Sequence, residues 1–421
     1  MSVPSASPSP SPSSSLPGAA VAAASRVGVP DPSVPTLSAA ERAAALAVPD
    51  LTDPATGLHA VQLVVGSIVR SLHDATNARV VVVRSTPVVS TVDNYDVLGF
   101  DAAAVTRDAR YTRYLGDGVV LRTHTSALVP AALRSLADDG WGTSGASPTD
   151  VLLVCPGIVY RRDSVDRWHT GTPHQLDLWW LRAEGERLGE SDLSSMIGAV
   201  IEGAVPASPW TTTSTGHPYT VDGRQIDAVG PNGEPVEVGE CGLAAPWVLE
   251  RCGLDPATVS GLALGVGLDR LVMVRKGITD IRLLRSEDPR VRRQMGDLER
   301  YRPVSSCPTV VRDLSLAVRI GTGDEELGDR VREALGADAD HVEEVRVLSR
   351  TALTDLPEAA RDRLGIGLGQ ENVLVRLVLR RLDRALRREE ANGLRDAVHA
   401  ALHEGGDGAA AAEVVTRAGS G

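Results

Sequence analysis

The sequence predicts an α+β fold in two folded parts. Three observations predict it. Between residues 79 and 277, apolar or alternating runs of strand length dominate, and helical patterns are inserted between and after them, as in helices packed on a mostly antiparallel sheet. Beyond Tyr301 the pattern changes to the element order β-α-β-β-α-β. The length of 421 residues, 43% hydrophobic and 23% charged, suits two folded domains and a small extra segment.

Residues 1–36 are rich in Ser, Pro and Ala and poor in large apolar groups, so they are expected to stay disordered. Ser38 followed by Glu41 is a capping-box signature and opens a helix over 39–47; a second helical pattern covers 56–76. Strands are then expected at RVVVVRS from residue 79, at 119–125, at 151–161 and at 175–183, with helices over 126–138 and 191–205. The stretch 206–236 is dense in Pro and Gly and reads as loop and hairpin. A strand at 236–242, a short helix at 245–253, and a Gly-punctuated strand running into an apolar helix over 261–277 complete this part. The polar stretch around 295–302 marks a boundary, giving domains 37–298 and 299–421. In the second, strands at 313–320, 342–350, 372–381 and 412–415 and helices at 324–336 and 388–405 follow the order of a ferredoxin-like unit.

The net charge of −12 gives no bulk attraction to nucleic acid or anionic membrane. Lys276 is the sole lysine, so phosphate contacts must come from Arg, backbone or helix termini. Phe100 is the sole phenylalanine, and the core must be built from Val, Leu, Ala and Ile. No run approaches the roughly 18 apolar residues of a membrane span, and the first residues lack the basic start of a secretory signal. Cys155, Cys241, Cys252 and Cys307 form no C-x-x-C pair, which argues against a disulfide framework or zinc ribbon and fits a reducing cytoplasm.

Three segments can carry chemistry. VVLRTHTSAL (119–128) brings Arg, His and hydroxyls to a helix start; the alternatives are an anion site, or Ser126 as a plain cap with His124 a satisfied strand residue. In 156–181, a polar loop holding Arg161, Arg162, Asp163, His169 and His174 lies between β runs, and Gln175 and Asp177 share a face of the returning strand. That combination suits a zwitterionic amino acid beside a nucleotide, because Arg pairs bidentately with phosphate or carboxylate. A metal site at His169 and His174 is disfavoured by their spacing. GLALGVGLDR (261–270) lacks G-x-G-x-x-G; its glycines fit close approach of backbone to a planar ligand or a packed helix, with Arg270 projecting from the helix start.

In this order the segments resemble the class II aminoacyl-tRNA synthetase core, and specifically the catalytic chain of the phenylalanyl-tRNA synthetase family. LRTHTS resembles its substrate segment, GIVYRRDSVDRWHTGTPHQLD its motif 2 and GLALGVGLDRLVMVRKGITDIRLL its motif 3. EVGECGLAAPWVLERCGLD resembles the strand and helix before motif 3, and the tail resembles the ferredoxin-fold anticodon-binding domain fused to single-chain organellar forms. The resemblance implies a class II antiparallel-sheet core plus a C-terminal ferredoxin-like βαββαβ domain. It also implies ATP-dependent activation of an amino acid as its adenylate and transfer to tRNA, with ATP and Mg²⁺ as cofactors, in a cytoplasmic monomer or homodimer with no membrane partner. Arg161 would bridge the α-phosphate and the carboxylate, Arg270 would meet the γ-phosphate, His169 would lie near the nucleotide, and Glu237 would line the floor and serve Mg²⁺. His124, Ser126, Gln175 and Asp177 would hold the amino acid's polar end, and Ala263 would be the small residue at the pocket base. Arg380, Arg381 and Arg384, within RLVLRRLDRALRR, are candidate tRNA contacts.

The chain also departs from the family pattern. Val129 stands where Gln is usual, while Asp177 and Asp269 stand where Glu is usual. HPYTV (217–221) aligns with a Phe-Pro-Phe-Thr-Glu segment, so His217 and Tyr219 replace two rings that grip the substrate and Val221 replaces a carboxylate. An alternative reading is therefore a divergent ligase that adenylates a more polar amino acid and transfers it to an acceptor other than tRNA.

Overall fold

The computed structural model describes residues 35–406 apart from 144, 146, 147, 231, 305 and 306. The tail read over 1–36, save its last two residues, and the strand read over 412–415 lie outside the described residues. In the first part, α1 (Ala39–Leu46) and α2 (Ala60–Thr76) precede β1 (Arg79–Val82). Strands β2 (Val88–Ser90), β3 (Tyr114–Gly116) and β4 (Val119–Leu121) pair as a small separate sheet in the order β2-β4-β3. There follow α3 (Val129–Asp138), β5 (Asp150–Ile158), β6 (His174–Arg182), α4 (Glu190–Ala204), β7 (Trp210–Ser214), β8 (Thr220–Val229) and β9 (Pro235–Ala244). Then come α5 (Pro246–Arg251), β10 (Ser260–Gly267), α6 (Leu268–Lys276) and α7 (Pro289–Gln294).

Seven of these strands form one sheet in the order β1-β5-β6-β10-β9-β8-β7. Every pairing is antiparallel except β1 with β5. The capping box at α1 is present: Ser38 Oγ accepts from Glu41 N–H, and Glu41 returns the bond to Ser38 N–H. Helix α2 starts later than its pattern, at Ala60, because His59 caps it through Nδ1, and it ends at Asn77 with φ 52. The hairpin read in 206–236 is β7–β8, and the helix read over 126–138 splits into a 3-10 turn at Thr125–Leu128 followed by α3.

Alternation along the strands sorts the sheet's two faces. On one, Leu152, Val154, Leu176, Leu178, Leu262 and Leu264 pack under α2, α4 and α6. Helices α2 and α4 come so close that a Cβ on Gly203 would lie 2.8 Å from Ile68 Cα, so that position admits only glycine. On the other face, Leu153, Trp179, Leu181 and Ala263 pack against α3 and α5 at one end, and the rest of the face carries polar residues. Lys276 is wholly buried; its ammonium donates to Asp297 Oδ1 and to the carbonyls of Asp297 and Glu299. The chain's one lysine therefore ties α6 to the segment after α7 and faces no ligand.

The second part comprises β11 (Val310–Arg319), α8 (Asp324–Leu335), β12 (Val342–Ala352), α9 (Glu358–Leu364), β13 (Gln370–Leu379) and α10 (Arg388–Leu402). Its three strands pair antiparallel in the order β11-β13-β12, and α8 and α10 cover one face. This unit grips the loop between β5 and β6. Val165 sits in its core, Val345 N–H donates to Val165 O at 2.8 Å, and Arg332 donates to the carbonyls of Asp163 (2.6 Å) and Ser164 (2.5 Å). Buried Asp329 on α8 bonds Arg113 at 2.8 Å and lies 3.5 Å from Arg162.

Candidate active site

The polar face of the large sheet is built from one rung. Asp177 on β6, Gly265 on β10 and Glu240 on β9 stand directly opposite one another. A one-residue bulge at Val238 brings Glu237 and Glu240 to the same face, since β8 pairs Ile226 with Gly239 and Asp227 with Glu237. Gly265 and Gly267 add no side chain, so between the acidic walls the floor is bare backbone.

Asp177 anchors the closed end of this face. It is 3% exposed; Ser126 Oγ–H donates to Oδ2 at 2.5 Å and Trp179 Nε1–H to Oδ1 at 2.8 Å. Burial pushes its carboxyl up to about 6, against the pull of those two donors. Ser126 thus spends its hydroxyl on Asp177 and leaves the following helix uncapped, which disposes of the plain-cap reading. The Tyr219 hydroxyl lies 3.3 Å from Ser126 Oγ, and Gln175 Oε1 accepts from Thr125 N–H at 3.3 Å. Ala263 lies across from Trp179 on β6 and Gly242 on β9, a small residue between two walls.

His124 stacks on Phe100, with centroids 5.3 Å apart and planes 15° apart. Both its ring nitrogens are shut off from solvent and lack a partner. Burial, reinforced by the nearby Arg161 and His217, carries its pKa down to about 3, so the ring is neutral at pH 7. His217 packs edge-on to Tyr219 at 4.6 Å and pairs through Nε2 with Glu240, while its Nδ1 is buried and unpartnered. The hydrogen bond from His217 holds Glu240 below the ordinary carboxylate range.

The open end carries the arginines. Arg161 follows β5, its N–H bonded to Gly171 O and its Nε donating to Thr123 O at 2.7 Å, which locks the loop to the LRTHTS segment. Burial lowers its pKa, and it lies within electrostatic range of Asp163, Tyr219, Arg270 and Glu240. Arg270, on the first turn of α6, donates to Glu237 O at 3.1 Å; its second nitrogen meets His169 Nε2 at 3.0 Å, and Glu237's carboxylate is 3.8 Å away. Asp166 bonds His169 Nδ1 and raises the imidazole's pKa. Arg161, His169, Glu237 and Arg270 are therefore neighbours around one face, with His124, Ser126, Gln175, Asp177, His217, Tyr219 and Ala263 at its closed end.

His174 stands apart. It is fully buried, its Nδ1 bonded to Asp269 at 2.9 Å while Leu51 N–H and Arg285 meet Nε2. Burial pushes the Asp269 carboxyl up, but its contacts to His174 outweigh that and leave it lowered. This pair fastens β6 to α6. Of the arginines read as tRNA contacts, Arg380 bonds Glu343, Arg381 bonds Asp383 and Arg384 bonds Glu390. Sequence reasoning missed Glu240, Phe100 and Thr123. Phe100 had a signal, as the chain's only phenylalanine; Glu240 had none, because a strict period of two puts it opposite Glu237.

Residues 47–295 match the family described as tRNA synthetases class II core domain (F). The chain is 37% identical over 197 residues to the phenylalanine–tRNA ligase alpha subunit of Prochlorococcus marinus (strain MIT 9313), covering 47% of this chain and 54% of the relative. It is 35% identical over 202 residues to that of Synechocystis sp. (strain PCC 6803 / Kazusa), covering 48% and 56%. To that of Streptomyces avermitilis it is 32% identical over 231 residues, covering 48% and 60%. The chain thus spans little more than half the length of these curated relatives. A large antiparallel-dominated sheet, the ordered segments along it and the match over more than half of the chain agree: this protein belongs to the tRNA synthetases class II core domain (F) family.

Proposed function

We propose that this chain is a ligase of the phenylalanine–tRNA ligase type, which activates an amino acid with ATP and transfers it to tRNA. The observation that carries the reading is the pair of guanidiniums, Arg161 and Arg270, set around one sheet face above a glycine floor, with a buried carboxylate at the closed end. In the first step a carboxylate oxygen of the amino acid attacks the α-phosphorus; a new P–O bond forms, the bond to the β-phosphate oxygen breaks, and pyrophosphate leaves with the electron pair. No protein base is needed, since the attacking oxygen is already ionised. Positioning and charge neutralisation do the work.

Asp177, Ser126, Gln175 and His124 would hold the ammonium and carboxylate, and Ala263, Tyr219 and His217 would surround the side chain. Arg161 would stabilise charge as the pentacovalent centre forms. Arg270 and His169 already meet one another, and a terminal phosphate would bridge them. Among the described residues no group of three or more His, Cys, Asp or Glu is placed to hold a metal. Mg²⁺ is usually bound by substrate phosphates and water with one or two carboxylates, and Glu237 would be the carboxylate here. Mg²⁺ would neutralise phosphate charge.

We read residues 37–298 as the catalytic domain and 299–421 as a ferredoxin-fold anticodon-binding domain. The strand order β11-β13-β12 with two helices on one face supports the second assignment. Arg380, Arg381 and Arg384 would reach tRNA only by giving up their carboxylates. We read the protein as a cytoplasmic monomer or homodimer; among the described residues no helix is long and apolar enough to cross a membrane. The test is ATP–pyrophosphate exchange with phenylalanine and its ring-substituted analogues, followed by charging of total tRNA. Exchange with at least one of them, and label carried to tRNA, is the expected result. Absence of exchange with every amino acid overturns the reading.

A further inference from the structure

The closed end of the sheet face holds more hydrogen-bonding capacity than an amino acid's ammonium and carboxylate use. His217 is the clearest case. Its Nε2 is committed to Glu240, which accepts the proton and so fixes it on that nitrogen. Its Nδ1 is sealed from solvent and without a partner. A sealed polar atom with no partner costs roughly 1–3 kcal/mol, so such atoms recur where a ligand completes them.

The surroundings of that atom are flat and aromatic. Tyr219 lies 4.6 Å from His217 and 6.2 Å from Trp179, and Phe100 lies 6.4 Å from Tyr219. Ala263 stands opposite Trp179 and is the smallest side chain of this wall. Trp179 and the Ser126 hydroxyl are engaged by Asp177, so neither is free to serve the side chain. An apolar ring fits the walls but offers nothing to Nδ1, and binding it would strand that nitrogen away from water.

We propose that this pocket takes an aromatic L-amino acid whose ring bears a hydroxyl or amino group, and that the His217–Glu240 pair reads that group and disfavours phenylalanine. The substituent hydrogen-bonds to His217 Nδ1, while Glu240 holds the imidazole in place through Nε2. The proposal names the side chain for the activation argued above and rests on that reading only for its kinetic arm.

The experiment has two arms on the full chain. In the first, the thermal shift given by phenylalanine, tyrosine, 3-hydroxyphenylalanine and 4-aminophenylalanine is measured without ATP. In the second, kcat/KM for ATP–pyrophosphate exchange is measured with the same four. A ring-substituted compound should exceed phenylalanine roughly 10-fold or more, since a site built to bond a polar group rejects the analogue lacking it. His217→Phe should reverse the order, and Glu240→Gln, which keeps shape but loses the carboxylate that anchors the imidazole, should narrow the gap. Phenylalanine binding as tightly as the others, or no shift from any compound, overturns the pocket assignment. A shift from the substituted rings with no exchange from any amino acid overturns the activation reading and leaves the pocket assignment standing.

Discussion

The two parts of this chain use arginine in opposite ways. In the C-terminal unit four half-buried arginines are cancelled close at hand: Arg376 by Asp313, Arg380 by Glu343, Arg381 by Asp383, and Arg384 by Glu390. On the sheet face, Arg161 is steered by a carbonyl and has no ion pair among the described residues, and Arg270 has only one carboxylate, at 3.8 Å. A cation oriented by carbonyls keeps its charge for something else, whereas one closed by a bidentate carboxylate is already spent. The sheet face also holds unmet hydrogen bonds, since both ring nitrogens of His124 and Nδ1 of His217 are buried without partners. Unspent charge and unmet hydrogen bonds, both sheltered from water, mark where a ligand belongs.

The largest effect that tests this contrast is on Arg161. Arg161→Ala should cut pyrophosphate exchange about 10³-fold or more, as loss of one preorganised charge on a transition state does. Circular dichroism should show the fold unchanged, because one hydrogen bond to Thr123 O is all the scaffold loses. Exchange within a few-fold of the parent protein would show that the uncancelled charge is incidental. Next comes Asp329, whose carboxylate serves Arg113 and Arg162 while wholly buried. Asp329→Ala leaves those cations without their partner and should cost about 3–5 kcal/mol in denaturant unfolding, as breaking a buried pair does. It should also raise the KM for ATP, because the loop carrying Arg161 and His169 is fastened by this unit through Val165.

Asp177 gives a smaller effect with a definite sign. Its folded pKa of about 6 lies above the ordinary 3.8, so the folded state holds the proton more tightly. Its contribution is therefore favourable at low pH and declines as pH rises from about 4 to about 6, reaching its full cost, of order 2–3 kcal/mol, above that. Asp177→Asn should match the parent protein's melting temperature near pH 4 and exceed it at pH 7.5, while losing amino-acid binding. In the parent protein, KM for the amino acid should rise as pH falls below about 6, since a protonated carboxyl does not hold an ammonium; a flat KM between pH 5 and 7 would remove Asp177 from that role.

What was legible in the sequence is what short-range pattern carries. Strand alternation placed Gln175 and Asp177 on one face, the Ser38–Glu41 spacing gave α1, and the glycines of 261–267 signalled close approach of backbone to a ligand or a packed helix. Three features were not legible because they depend on long-range geometry. The bulge at Val238 breaks the period of two and turns Glu240 toward His217. Ser126 looks like a helix cap until β6 brings Asp177 beside it, 51 residues later. Nothing local in Asp163, Ser164 or Val165 says that a unit more than 160 residues further on will hold them. The small strands β2 and β3 are only three residues each, too short for periodicity to register.

The smallest expected effect is at the other pole of the comparison. Over 301–421 the chain carries 17 Arg against 21 Asp and Glu, so any tRNA contact there works against a net negative field. Arg384 is bonded to Glu390 at the start of α10, and Arg387 shares the same carboxylate. Exposed pairs of this kind contribute little, so Arg384→Ala should leave the unfolding midpoint nearly unchanged. Its effect on tRNA should be equally slight while Glu390 holds the guanidinium. The informative variant is Glu390→Gln, which frees Arg384 and Arg387 together without removing either. If this unit meets the phosphate backbone through that turn, Glu390→Gln should tighten tRNA binding and steepen its dependence on salt by about one to two counterions. An unchanged salt slope would place the tRNA contact elsewhere and leave these arginines as surface ion pairs.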